Sequence, residues 1–266
     1  MKEILMLAMA AMMFLGAGEA LGATVGDWVQ LEIRTDHGGS LALYSTRASY
    51  PKKKVYAEAV RGEEYTIVVR NLLARRVGLV IAVDGRNIIS GKKSWLRNNE
   101  RMYILGPYQT GEYRGWRTGG DRVNRFYFTD AADSYAAAFG DESAMGVIAV
   151  AVYPEVERYV PMEPPTDLSR EGAGHGAPQA PKAQGAKPAD RSMESAGTGY
   201  GQEEYSPSRV VAFEPEAQAT ETLLIKYEWR STLCRMGIIP CCDTPPHTRN
   251  RLWDDGGYAP PPPEHR

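Results

Sequence analysis

The sequence predicts a mainly β protein, an antiparallel β-sandwich, on three observations. From Asp27 to Pro154 apolar residues alternate over short runs, the period of a half-buried strand rather than of a helix. Gly, Asn, Asp and Pro bound those runs, as turn residues do. The dipeptide Asp84-Gly85 supplies what a two-residue hairpin turn favours, because both central positions of that turn take positive φ.

Taken in order, the chain opens with Lys2 and an apolar run from Ile4 to Leu15, followed by small residues at Gly16, Ala17, Gly18, Ala20, Gly22 and Ala23. This pattern reads as a secretory signal peptide over residues 1–23, cut near Ala20 or Ala23. The run is shorter than the roughly 20 apolar residues of a permanent membrane span. Residues 24–154 then form the sandwich domain, with Trp28, Leu31 and Ile33 at its start. Val55–Val60 and Tyr65–Arg70, joined through Arg61 to Glu64, suggest a hairpin. Val77–Val83 is almost continuously apolar and reads as a central strand, with Ile88-Ile89 returning beside it after Asp84-Gly85. Met102–Leu105, Gly111–Trp116, Arg125–Thr129 and Val147–Tyr153 supply four more strands. Thr129 or Asp130 could cap a short helix running towards Phe139.

Residues 155–200 are rich in Pro, Gly, Ala and charge, and such a segment cannot bury enough apolar surface to offset the entropy of ordering it, so a long disordered linker is expected. Residues 201–233 carry two further apolar runs, Arg209–Phe213 and Thr222–Trp229. Two strands alone are marginally stable, so this C-terminal strand pair is expected to dock on the same core and complete the sandwich. Residues 234–266 form a Cys- and Pro-rich tail ending in a polyproline run.

The chain has 31 basic and 33 acidic side chains, a net charge of −2, so no global field favours nucleic acid. All three cysteines, Cys234, Cys241 and Cys242, lie near the C-terminus. Adjacent cysteines rarely bridge each other, so Cys234 is expected to pair with Cys241 or Cys242, leaving one thiol free or joining two chains. Of the four histidines, His175 falls in the linker and His265 in the tail. His247 beside Cys241 and Cys242 lacks zinc-site spacing, and no metal or cofactor is expected. Ser90 and Ser134 lack the Gly-x-Ser-x-Gly turn of a hydrolase nucleophile, and Gly197–Gly201 lacks the strand and Lys-Ser of a phosphate loop.

One cluster carries binding chemistry. On a strand, Arg114 and Trp116 would share a face while Arg117 begins the turn, and with Tyr103, Tyr108 and Tyr113 they could build an aromatic platform for a glycan or peptide. The competing reading makes Trp116 a core residue and pairs Arg114 internally with an acid such as Asp84.

The stretch Val83–Lys92, together with Tyr103–Pro107, Arg114–Arg117, Phe126–Thr129, Asp133–Ala136, Gly197–Gly201 and Lys226–Arg230 with Cys234, resembles a group of uncharacterised exported proteins of Gram-negative bacteria. The resemblance covers most of the mature chain outside the linker and implies kinship and export, with no activity attached. The expectation is therefore a periplasmic or secreted, non-enzymatic binding or assembly module whose partner is a protein or glycan of the cell envelope. One alternative is an envelope-glycan hydrolase using an acidic pair such as Asp84 and Glu112, whose carboxylates would have to lie about 5 to 9 Å apart. The other is a disulfide-linked structural protein.

Overall fold

The computed structural model describes residues 20–22, 24–37, 39–45, 52–157 and 195–241. In chain order the strands are β1 (Ala20–Gly22), β2 (Thr24–Val25), β3 (Val29–Thr35), β4 (Leu43–Ser45), β5 (Lys52–Ala59), β6 (Glu64–Asn71), β7 (Val77–Val83) and β8 (Arg86–Asn87). They continue as β9 (Tyr103–Leu105), β10 (Thr110–Tyr113), β11 (Gly115–Arg117), β12 (Arg122–Asp130), β13 (Val147–Pro154), β14 (Ala196–Thr198), β15 (Glu203–Tyr205) and β16 (Glu221–Trp229), and a helix, α1 (Arg230–Arg235), follows. One sheet runs β1-β4-β5-β16-β13-β7-β8 with β9 added to β7. The other runs β11-β12-β6-β3-β2, with β10 on β6 and both β14 and β15 on β12. The protein is thus mainly β, two sheets packed face to face.

Alternation builds the core between them. Val29, Leu31 and Ile33 of β3, Val55 and Ala57 of β5, Tyr65, Ile67 and Val69 of β6, and Leu223, Ile225 and Tyr227 of β16 all point inward and are buried in one cluster. β7 is buried at every position. Its inner residues Leu79, Ile81 and Val83 join that cluster, while Val80 packs on the outer side with Ala151 and Tyr153 under Leu96 and Met102. Both faces of β7 are covered, which is why its sequence is continuously apolar.

The turn after β7 forms as its residues require. Asp84 and Gly85 take φ of 48° and 76°, Val83 pairs with Arg86, and the Ile88 N–H donates to the Ile81 carbonyl at 3.0 Å.

Elsewhere tertiary pairing overrides local pattern. β5 and β6 are not a hairpin: β5 lies between β4 and β16, β6 pairs with β3, β10 and β12, and the Arg61-Gly62 turn carries the chain from one sheet to the other. The β5–β16 pair is parallel over eight residues, whereas all other ladders among the described residues are antiparallel. The expected strand Gly111–Trp116 is split at Arg114 into β10, which joins β6, and β11, which joins β12. Between Asp130 and Phe139 there are two 3₁₀ turns, Ala131–Asp133 and Ala137–Phe139, in place of an α-helix.

The C-terminal part docks on the same core, with different members from those expected. Arg209–Phe213 is not a strand; Glu203–Tyr205 is, and it joins β12 while β16 enters the opposite sheet between β5 and β13. The expected linker is also too long at its C-terminal end, because Ala196–Thr198 is a fully buried strand on β12. The rest of it, 158–194, lies outside the described residues, as do 1–19 and 23 of the expected signal peptide and the tail from Cys242 onward. Ala20–Gly22, at the expected cleavage region, pairs with β4.

Two local ties hold the ends of β16. At its start the buried carboxylate of Glu221 accepts the backbone N–H groups of Asp27 at 2.9 Å, Trp28 at 3.0 Å and Val29 at 3.4 Å, which fixes the entry to β3. Beyond its end Cys234 is joined to Cys241, one of the two expected pairings.

Each tie yields a measurable expectation. Glu221→Ala leaves three N–H groups without their acceptor and should cost about 2 to 4 kcal/mol, read as a lower denaturant midpoint at unchanged slope. Loop closure over so short a separation is worth about 2 to 3 kcal/mol to the unfolded tail. Mass spectrometry of the alkylated, non-reduced protein should therefore return a Cys234–Cys241 peptide with Cys242 alkylated or joined to another chain, and alkylation of all three cysteines would refute the tie.

Candidate functional site

The residues of the expected platform do not share a face. Trp116 is 2% exposed and donates its indole N–H to the Gly199 carbonyl at 2.9 Å, so it is a core residue. Arg114, at the break between β10 and β11, points outward instead, pairing with Glu112 at 3.2 Å and Glu204 at 2.9 Å rather than with Asp84. Arg117 is brought to Tyr103, donating from Nε to the phenol oxygen at 2.7 Å, and the Tyr103 ring lies 4.5 Å from that of Tyr113. Tyr108 is exposed in the turn between β9 and β10, with a φ of 56°. Asp84 and Glu112 are likewise apart in environment: Asp84 is sealed in the interior, and Glu112 is exposed between Arg34 and Arg114.

Other aromatic side chains stand exposed on three loops that cations link. The β8–β9 loop is stiffened by Asn87 and Glu100. Asn87 accepts the Ile89 and Ser90 N–H groups and donates to the Arg101 carbonyl, while Glu100 accepts the N–H groups of Trp95 at 2.8 Å and Arg97 at 3.0 Å and the Ser94 hydroxyl at 2.7 Å. These bonds hold up Trp95, which is 67% exposed. The β12–β13 loop contributes Tyr135 and Phe139, rings 5.0 Å apart, with Phe139 56% exposed. The segment after β14 contributes Tyr200, stacked on Tyr135 at 5.3 Å and 46% exposed.

Cations tie the loops together. The Arg86 guanidinium lies 4.0 Å from the Phe139 ring centroid and donates to the Gly91 carbonyl at 2.7 Å. Lys93 reaches Asp141 at 3.2 Å and Ser143 at 3.1 Å while lying 5.5 Å from the Trp95 ring. The Ser143 hydroxyl and the Lys93 ammonium hold the Asp141 carboxyl below its ordinary range. These loops therefore present flat apolar faces beside basic and acidic groups, with little freedom to lose on binding.

Beneath them lies a buried polar chain centred on Thr198. Asp84 Oδ2 accepts the Thr198 N–H at 2.7 Å, and Oδ1 accepts the Gly146 N–H at 2.8 Å and the Tyr227 hydroxyl at 2.6 Å. Tyr227 has given its only proton to Asp84, so it accepts from Thr198 Oγ1 at 2.7 Å, and Thr198 in turn accepts from the Tyr65 hydroxyl at 2.8 Å. Burial, and the Asp84 charge, push both tyrosines well above their ordinary pKa, which keeps them donors. Thr198 also accepts the Tyr135 N–H at 2.9 Å through its carbonyl, so the chain positions the exposed rings above it. Gly199 follows because the Tyr127 ring occupies the place a Cβ would take.

Sequence reasoning missed Trp95 and Phe139, since each stands alone in a polar or small-residue loop. Tyr135 and Tyr200 did fall within stretches that the sequence singled out, Asp133–Ala136 and Gly197–Gly201. Among the described residues no three His, Cys, Asp or Glu side chains group to hold a metal ion. Comparison of the chain with protein-family models, curated proteins and solved structures finds no match.

The buried carboxylate predicts a pH signature. Desolvation lifts the Asp84 pKa from 3.8 to about 6 despite its hydrogen bonds. A raised folded-state pKa means that its contribution to stability is fully present below pH 3.8 and is lost as pH rises through about 6, by about 3 kcal/mol. Asp84→Asn cannot ionise and turns one acceptor towards the Thr198 N–H as a donor. The stability advantage of the wild type over this variant should shrink between pH 4 and pH 7, measured by denaturation at each pH. An advantage that grows over that interval would show a depressed pKa instead.

Proposed function

We propose that the chain is an exported, non-enzymatic binding or assembly module of the cell envelope, periplasmic or secreted, that contacts an envelope protein or glycan through the Trp95, Phe139 and Tyr200 surface. The observation that carries the reading is that these three exposed rings are held in place by backbone caps, cation contacts and the buried Thr198 chain, although none of them is needed for the core. Exposed aromatics set on rigid supports are characteristic of binding hot spots. Export is supported by the pattern of residues 1–23, by the family resemblance and by a disulfide that needs an oxidising compartment. The non-enzymatic part rests on the environments of the candidate acids: Asp84 is closed off from solvent, and Glu112 is paired with two arginines.

Co-sedimentation of the mature protein with purified Gram-negative sacculi, and capture on immobilised outer-membrane and periplasmic extracts, tests the reading. Trp95→Ala with Phe139→Ala should weaken retention at least tenfold while leaving the melting temperature within a few degrees. Retention that survives this double substitution, or none by the wild type, would overturn it.

A further inference from the structure

The segment from Ser206 to Glu216 runs without turn or bend, yet the apolar run Arg209–Phe213 inside it pairs with no strand among the described residues. Its bonds to the body of the protein follow a pattern. The N–H groups of Ser206 and Ser208 donate to the carbonyls of Asp121 and Gly120, and that of Glu216 donates to Pro154. The Ala212 carbonyl accepts from Arg76 at 2.9 Å, and the Glu214 carbonyl accepts from Val156. Every one of these residues is even-numbered.

In a strand the N–H and C=O of one residue point to one edge and those of the next to the other. The odd residues Arg209, Val211 and Phe213 therefore face away from the body, and their N–H and C=O groups make no backbone hydrogen bond among the described residues. Pro207 and Pro215, also odd, bound this window, and neither has an N–H to offer. What lies between them is an open edge of three donors and three acceptors. The window is straight and held at both ends, by Ser208 on Gly120 and by Phe213 under Arg76, whose guanidinium is 5.5 Å from its ring. Val210 is 96% exposed.

We infer that the Arg209–Phe213 window is a docking edge for an extended peptide segment of another protein, which adds to it as a strand. The main-chain groups supply affinity, and Val210 and Arg209 supply selectivity. A window of five residues is far short of the roughly 800 Å² per partner that a stable interface between two folded copies requires, so the fit is to an unfolded segment. Arg209 is exposed and has no ion pair among the described residues, which favours a ligand combining alternating apolar residues with an acid. This edge is independent of the aromatic surface, and either assignment can fail without the other.

A phage-displayed library of unstructured ten-residue peptides, selected on the full mature chain, tests the inference. Selected peptides should carry alternating apolar residues and an acid, and at saturation they should slow amide exchange at Arg209, Val211 and Phe213 at least tenfold. Val211→Pro deletes the central donor of the open edge and should weaken binding at least tenfold, whereas Val210→Pro, whose nitrogen faces the other edge, should change it less than twofold. If Val211→Pro fails to fold, amide exchange in the wild type decides alone. Enrichment of no peptide, equal binding to Val211→Pro, or protection of these amides by protein concentration alone, the signature of a second copy, would each overturn the inference.

Discussion

The two sheets are pinned to each other by one directional chain of hydroxyl groups, from Tyr65 through Thr198 and Tyr227 to the carboxylate of Asp84. Its members come from β6 in one sheet, β16 in the other, the buried strand β14 and the β7–β8 turn. Each hydroxyl has a single proton to give, so the order of donation is forced once Asp84 is the terminal acceptor. The arrangement also settles where β14 sits. Its Thr198 amide has to meet Oδ2, and any slip of β14 along β12 would take from Asp84 Oδ2 and from the Tyr65 hydroxyl the partners that Thr198 supplies, a penalty in a low-dielectric interior. The hydrophobic sandwich supplies the driving force for collapse, and this chain selects one register within it.

A second set of charges acts on the outer face of the β6–β12 sheet. Arg125 is almost entirely buried and meets Asp36 at 2.5 Å, Glu204 at 2.9 Å and Glu64 at 3.3 Å, joining β12 to the end of β3, to β15 and to β6. Glu204 passes the linkage on to Arg114, and Glu112 passes it to Arg34. Isolated exposed pairs contribute little, whereas a buried guanidinium with three acceptors is costly to strip of its partners. The outer network therefore specifies which short strands attach to β12, the strand that leads into the Tyr135 and Phe139 loop.

Local pattern made the sandwich, the buried character of β7, the Asp84-Gly85 turn and the Cys234 pairing legible, because each depends on residues close in sequence or on a period of two. It failed where pairing is non-local. Tyr56 and Ile67 look like the two arms of a hairpin until both edges of β5 and β6 are taken by distant strands. Arg209–Phe213 has strand composition and no partner strand among the described residues, while Glu203–Tyr205, with two acids, is a strand because Arg122 and Arg125 attract it to β12. Ala196–Thr198 lacks large side chains, so nothing in its composition marks it as core. For the functional surface, aromatic residues adjacent in sequence were the wrong guide. Trp116 is drawn inward by the Gly199 carbonyl, and the rings that do converge come from loops separated by tens of residues.

The parallel pairing of β5 with β16 has a consequence for how the chain matures. β16 lies between β5 and β13, so the sheet that contains them remains two unconnected pieces until the last strand is in place. Well over half of the polypeptide separates the partners Lys52 and Thr222, and closing such a distant contact is slow relative to local hairpins. A chain emerging from its N-terminus can collapse early around β3 and β6, yet β5 and β13 each wait with an open edge. Completion thus has to await the arrival of β16, and the half-built intermediate is the species that a chaperone would have to shield.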